Sequence, residues 1–384
     1  MKISIFTHIY PAPDGLGIEA DTKVVHYFAL ERKKAGDDVQ VYHLWHEPVK
    51  RIHKGGAKLI LPKKTDHEVD GIPVRLIRYG LVVPKRRFPQ SFQLRAIDRF
   101  VSERERERGG NVDASFVHFP TFFRGVRSTT NARKSIATFH ISDVFNLGLN
   151  SGETTRHDLE RYDLWGARNE AIRKELLDRF GHDSVLVRTG IESEFIANEE
   201  TVLSKASRGM NPMRIVFVGK LIRRKFADVA IEAARKSGFP FELEIVGDGP
   251  ERERLERLAD GDERIRFFGN VPRDEVRRRM SEADVFAMTS EKETYGLVYL
   301  EAMGQGCLCV GTKGEGIDGI MVDGENGFLT RAGDSEALAE VLKRISKLNV
   351  EERKRLLTAG LETARNMEAS KVAAEYASLV APVD

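Results

Sequence analysis

Cysteine is almost absent from this chain of 384 residues. Its two cysteines, Cys307 and Cys309, stand two apart in the apolar run "CLCVGT", where a mutual disulfide is not expected. That excludes the disulfide-stapled scaffolds of small secreted proteins. Long apolar runs are missing too. No stretch reaches the roughly eighteen residues that a membrane-spanning helix needs. The opening "MKISIFTHIYPAP" is strand-like and breaks at proline, without the apolar core and small-residue cleavage site of a signal peptide. A cytoplasmic protein is expected. Charge of one sign is not in excess, since the formal net charge is +2. Its distribution is uneven, however: residues 1–190 carry 32 Lys and Arg against 24 Asp and Glu, and the remainder 29 against 35. The basic surface belongs to the first half, where an acidic partner would meet it.

What is present is an alternation of strand-like and helix-like segments, repeated twice. The first half has "KISIFTHI", "DVQVYHLW", "IPVRLIRY", "ASFVHF", "SIATFHI" and "SVLVRTGI" as strands, with "DTKVVHYFALERKKAG" and "NEAIRKELLDRFG" as helices. The second half has "RIVFVG", "FELEIVGDG", "RIRFFG", "DVFAMTS" and "CLCVGT" as strands with helices between them. Strands spaced by helices predict parallel sheets covered on both faces. A chain of this length exceeds one ordinary core and suits two domains. Residues 197–212, polar and interrupted by glycine and proline, read as the linker between domains 1–196 and 213–366. Residues 367–384 read as a terminal helix that either caps the second domain or packs back on the first. The fold class is therefore α/β, two doubly wound Rossmann-like domains in tandem, with ligands expected beyond the carboxyl ends of the strands and in a cleft between facing domains.

Two stretches carry chemistry. In "EKETYGLVYLEAMGQG", Glu293 and Glu301 lie eight apart, with Thr294, Tyr295 and Gly296 leading into a helix that contains Glu301. Free N–H groups at a helix start bind anions, and glycine lets a phosphate approach the backbone. Glu301 could accept from a ribose diol, and Glu293 from hydroxyls of whatever the phosphate carries. Alone, Glu293 also fits a solvated helix-start carboxylate favoured by the dipole, and Glu301 an exposed helical residue. In "VFVGKLIRRKF", Gly219 and Lys220 end a strand, with Arg223, Arg224 and Lys225 just after. Cations there can neutralise a diphosphate, above all as it leaves. A basic helix start opposes the dipole, which argues that an anion is expected.

Taken together, "VGKLIRRK", "IVGDGPERERLE", "IRFFGNV", "EKETYGLVYLEAM" and "GTKGEGIDGIMVDGENGFL" resemble, in order and spacing, the second domain of the retaining GT-B glycosyltransferases of family four (glycosyl transferases group 1). The resemblance covers nearly all of residues 213–345. It implies that Lys220, which replaces the usual arginine, and Lys225 contact a donor diphosphate, with Arg224 compensating for the lost bidentate grip. It places the nucleotide base at Asn270 and Val271, sugar hydroxyls at Glu293, phosphates at the backbone amides of Tyr295, Gly296, Leu297 and Val298, and the ribose at Glu301. In the first domain the resemblance is looser. There "PAPDGLGIEA" matches a Gly-rich loop, with Gly15 and Gly17 near donor phosphates or acceptor, and His140 matches the histidine beside the transferred sugar. His140, Glu293 and Lys225 are then the candidate catalytic residues.

The resemblance implies a retaining transferase that needs no metal or other cofactor. It would move a sugar from a nucleoside diphosphate sugar, UDP-linked in preference to GDP-linked, to a saccharide or lipid-linked acceptor in polysaccharide or glycan synthesis. The Asp-Gly-Asp at 260–262 is read as a polar turn, not a metal site. The segment 83–108 mixes arginines with apolar residues at near-helical spacing. It reads either as a helix against the core or as a peripheral contact with anionic lipid at the inner face of the plasma membrane. One rival is an NAD(P)-dependent oxidoreductase using the Gly15–Ala20 loop, although that fingerprint should open directly from the strand. The other is a basic nucleic-acid-binding protein, which leaves the second half's motifs unexplained. No nucleic-acid partner is expected.

Overall fold

In a computed structural model of the protein, residues 1–12, 18, 24–47, 61–80, 89, 91–144, 153–293 and 295–381 are described. Gly15, Gly17, Thr294 and residues 81–88 and 90 of the basic segment lie outside them. Two compact units result. One comprises Met1–Thr189 with Val372–Asp384, the other Gly190–Lys371.

The first unit is built on β1 (Lys2–Thr7), β2 (Asp38–Glu47), β3 (Lys63–Val69), β4 (Ile72–Gly80), β5 (Ala114–His118), β6 (Lys134–Phe139), β7 (Leu164–Ala167) and β8 (Val185–Leu186). Their order in the sheet is β3-β4-β2-β1-β5-β6-β7-β8, with β3 antiparallel to β4 and the remaining pairs parallel. The expected strand "SVLVRTGI" shortens to the two residues of β8. Central strands such as β5 are buried along their whole length, as parallel strands covered on both faces must be. Helices Val24–Lys34, Ser91–Glu107 and Glu170–Phe180 lie between them. Asn169 caps the last of these by accepting from Ile172 N at 2.9 Å.

The second unit carries β9 (Met213–Val218), β10 (Phe241–Val246), β11 (Ile265–Gly269), β12 (Val285–Ala287), β13 (Leu308–Thr312) and β14 (Phe328–Thr330). All are parallel, in the order β11-β10-β9-β12-β13-β14. That is the doubly wound dinucleotide-fold order, whose direction reverses between β9 and β12. Cys307 and Cys309 are free and buried at β13.

Residues 197–212 are more than a linker. They contain the helix Glu199–Ser207, capped by Asn198, whose Val202 and Ala206 are buried where it packs on the helix Val350–Asn366. Its apolar positions were legible, but the polar residues around them masked the pattern. The second unit accordingly begins at Gly190. There Ile191 N donates to Met367 O and Ala369 N to Ile191 O, each at 2.8 Å. The final helix, Ala369–Ser378, carries the chain back into the first unit at Val372. Its Tyr376 is buried, with ring centroids 4.8 Å from Phe28 and 4.9 Å from Phe116, and its hydroxyl bonds Thr138. Among the described residues no helix is long and apolar enough to cross a membrane.

Candidate active site

In the second unit the two stretches singled out above follow the two strands at the reversal. Gly219 and Lys220 leave β9, and the segment from Met288 to Glu293 leaves β12. A crevice forms at such a point because the chain departs to opposite faces of the sheet. Here Lys225 Nζ forms an ion pair with Glu293 Oε2, their side chains 13% and 15% exposed. Arg224 ties the same two loops through the backbone, its Nη1 donating to Glu291 O at 3.4 Å and Lys292 O at 3.3 Å, while Glu291 N donates to Arg224 O at 2.9 Å. Arg224 is thus a brace between the loops. Lys220 is exposed and, among the described residues, has no ion-pair partner.

Two bulky residues beside the pair adopt left-handed backbone. Phe226 has φ 52° and Lys292 φ 55°. Each costs about 1–2 kcal/mol in an L-residue, and such strain gathers where the chain must aim particular groups.

The loop bearing Glu293 is clamped from the other side. Glu293 N donates to Glu315 Oε2 at 2.8 Å, and Gly316 N donates to Glu293 O at 3.0 Å. Gly296, at φ 73°, turns the chain into the helix Leu297–Gly304, whose start has no side-chain cap. A Cβ there would meet the Tyr299 ring at 2.7 Å, and Tyr299 is fixed by its hydroxyl donating to Met288 O at 2.6 Å. Glycine is therefore required by packing as well as by φ. Tyr295 is buried, and Leu297 and Val298 are half-buried at the helix start.

Glu301 is neither exposed nor alone. It is buried on that helix and its carboxylate is gripped by Arg273, Nη2 to Oε1 at 2.9 Å and Nη1 to Oε2 at 3.2 Å. Burial pushes its carboxyl up, and Arg273 opposes that. Asn270 is exposed and Val271 half-buried just before the helix Arg273–Glu282. Arg273 was missed. Its signal was a basic residue at a helix start against the dipole, the argument already applied to residues 223–225.

The "VGDGPE" glycines have a structural role that the sequence did not disclose. A Cβ on Gly247 would stand 2.0 Å from Gly219 O, and one on Gly249 2.4 Å from Leu221 O. The two loops pass in contact, bonded by Gly219 N to Val246 O and Leu221 N to Asp248 O, both 2.9 Å. These glycines set the path of Gly219 and Lys220. At the 260–262 turn, Asp262 accepts from Arg264 and Arg235, and those bonds hold its carboxyl well below the usual range.

In the first unit the sheet order reverses between β1 and β5, and an aromatic and histidine cluster sits at the strand ends there. His140, just after β6, stacks on Phe119 at 3.7 Å. His8, just after β1, stacks on Phe122 at 3.7 Å. Phe119 itself has φ 60°. His140 Nε2 lies 3.3 Å from His118 Nδ1, so one ring donates and the other accepts. Burial, together with the charge of Arg168, drives both imidazoles toward the neutral form, His118 down to about 3. Asp143 holds the backbone of this corner, accepting from His140 N at 2.8 Å and from Thr121 Oγ1 at 2.5 Å. Burial pushes its carboxyl up to about 7. Asp143 was not among the expected residues, because nothing in "HISD" reveals that the aspartate turns inward.

Two doubly wound units, with cations and carboxylates at the reversal of the second sheet, have the architecture of the GT-B fold. Comparisons with known proteins agree. Residues 199–363 match the family described as Glycosyl transferases group 1. The chain is 38% identical over 152 residues to the lipopolysaccharide core biosynthesis glycosyltransferase LpsE of Rhizobium meliloti, covering 39% of this chain and 44% of that protein. It is 24% identical over 388 residues to the amylovoran biosynthesis glycosyltransferase AmsK of Erwinia amylovora, covering 90% and 91%. The crystal structure of HepE from Anabaena in complex with UDP matches it with TM-score 0.71 at 16% identity, over 99% of each chain, a likeness of fold. The match thus spans less than half of LpsE but nearly all of AmsK. The fold is GT-B, and residues 199–363, less than half of the chain, are similar to the glycosyl transferases group 1. The oxidoreductase reading of the Gly15–Ala20 loop finds no support in these matches.

Proposed function

We propose that this protein is a retaining, metal-independent glycosyltransferase that moves a sugar from a nucleoside diphosphate sugar to a saccharide or lipid-linked acceptor in cell-surface polysaccharide synthesis. The observation that carries this reading is the Lys225–Glu293 pair beside the uncapped start of the helix Leu297–Gly304, at the switch point of the sheet. A UDP-sugar is the favoured donor, with a GDP-sugar second. Its base would lie against Asn270 and Val271, its ribose at Glu301 and its diphosphate at the helix start, Gly219, Lys220 and Lys225.

In the reaction the bond between the anomeric carbon and the diphosphate oxygen breaks and a bond to the acceptor oxygen forms. Lys220, Lys225 and the helix N–H groups meet the charge that develops on the leaving diphosphate, which stabilises the transition state more than the ground state. Glu293 leaves Lys225 to hold sugar hydroxyls, and Lys225 turns to phosphate. Retention follows from attack on the face the diphosphate leaves, with its oxygen accepting the acceptor's proton. His140, neutral and close to its strand end, suits a hydrogen bond to the transferred sugar. Outward-facing Phe92, Arg95 and Arg99 on the helix Ser91–Glu107 support a peripheral contact with anionic lipid.

Thermal-shift measurements with UDP, GDP and NAD, followed by hydrolysis of a panel of sugar nucleotides, test the reading. Stabilisation by UDP or GDP and release of free sugar are expected. Stabilisation by NAD alone, with no donor hydrolysed, would overturn it.

A further inference from the structure

Arg273 occupies the first position of the helix Arg273–Glu282, two residues beyond Val271. Besides its two bonds to Glu301, its Nη2 donates to Glu192 Oε2 at 2.5 Å and its Nε to the same oxygen at 3.2 Å. The guanidinium carbon lies 4.2 Å from the centre of the Phe195 ring. A fork so fully engaged on an acid and an aromatic face does not serve its own helix, whose dipole it opposes. Its geometry serves Glu301.

A carboxylate can accept about four hydrogen bonds, and Arg273 takes one on each oxygen. What remains is one acceptor position per oxygen in a fixed plane, which suits the two adjacent hydroxyls of a ribose. A lone carboxylate with 8% of its side chain exposed would instead rotate freely or take up a proton. The charged groups facing Glu301 among the described residues are Arg273 and Glu192, of opposite sign, and Arg273 alone bonds it.

We infer that Arg273 is a positioning residue of the nucleotide site, holding the Glu301 carboxylate in one orientation as the acceptor for a ribose diol. The inference rests on the reading of Glu301 as the ribose ligand. Lysine cannot reproduce the hold, because a single ammonium offers no planar fork.

The test is calorimetric titration of the full chain with UDP and 2′-deoxy-UDP, and in parallel with GDP and 2′-deoxy-GDP, at about pH 6 and about pH 8. The wild type should prefer the ribonucleotide roughly tenfold at both values, as expected for a hydrogen bond to a charged acceptor. Glu301→Gln should erase most of that preference. Arg273→Gln should reduce it, and more at the lower pH than at the higher, because burial unopposed by the guanidinium favours the protonated carboxyl. Arg273→Lys, chosen to preserve folding, should fall between. If Arg273→Gln and Arg273→Lys both keep the full preference while Glu301→Gln loses it, the inference about Arg273 is wrong and the ribose assignment stands. If Glu301→Gln keeps the preference, the ribose assignment falls and the inference with it.

Discussion

Lys225 and Glu293, 68 residues apart in sequence, pair across the loops that follow the two strands at which the second sheet reverses. In doubly wound sheets this is where ligands sit, and here the chain has placed a cation and a carboxylate against each other at that point. In the proposed reading the pair holds ready the two groups a sugar nucleotide would use, one for phosphate and one for hydroxyls.

Lys225→Ala and Glu293→Ala should each abolish transfer, with a fall in turnover of at least about 100-fold. Removing one partner leaves the other unpaired at a partly exposed site, which costs about 1–3 kcal/mol. Melting temperature should therefore drop by a few degrees only. Thermal melts and donor-turnover assays on the purified variants check both halves, and wild-type-like turnover in either variant would remove these residues from the site.

His140→Ala should lower turnover by about tenfold or more while changing nucleotide affinity by less than about threefold. The residue lies in the first unit, at a strand end, whereas the proposed nucleotide contacts are in the second. Steady-state kinetics alongside UDP titration measures the split. Unchanged turnover would return this histidine to a packing role.

Three buried histidines should weaken the first unit in acid. Burial lowers His43 and His118 to about 3 and drives His140 in the same direction. A group depressed on folding binds more protons when unfolded, so its stability contribution is complete above about pH 6.5 and is lost as pH falls toward the folded value. Asp143 has the opposite sign. Its carboxyl, pushed up to about 7, contributes fully below the unfolded value of about 4 and loses that contribution as pH rises through 7. Urea unfolding should show a net loss of stability between about pH 6.5 and 4.5, blunted in His118→Gln, whereas Asp143→Asn, which removes the opposing contribution, should steepen it. An unchanged acid slope in His118→Gln would rule out that histidine as its source.

Gly219 and Gly247 separate folding from binding. A Cβ on Gly219 meets nothing nearer than Met288 Sδ at 3.7 Å, so Gly219→Ala should melt close to wild type yet bind UDP more weakly by crowding the phosphate. Gly247 has φ 129° and a Cβ there would strike Gly219 O, so Gly247→Ala should destabilise the fold by about 2 kcal/mol or more. Thermal melts and nucleotide titration on the pair would show the contrast, and equal melting temperatures would contradict it.

Much of this protein was determined by its sequence alone. Alternation of apolar strands and amphipathic helices dictates parallel sheets, because only burial on both faces satisfies such strands. The order of "VGKLIRRK", "VGDGPE" and "EKETYGLVYLEAM" along the chain was enough to place the glycine- and cation-bearing loops at strand ends. What only the tertiary structure decided is which of these groups touch. Lys225 meets Glu293 because their strands adjoin at a reversal that no local pattern encodes. Glu301 is buried because Arg273, brought in from another helix, neutralises it. His140 is neutral because His118, Phe119 and Arg168 surround it from separate segments. Charge state and orientation depend on neighbours distant in sequence, and those the linear pattern does not name.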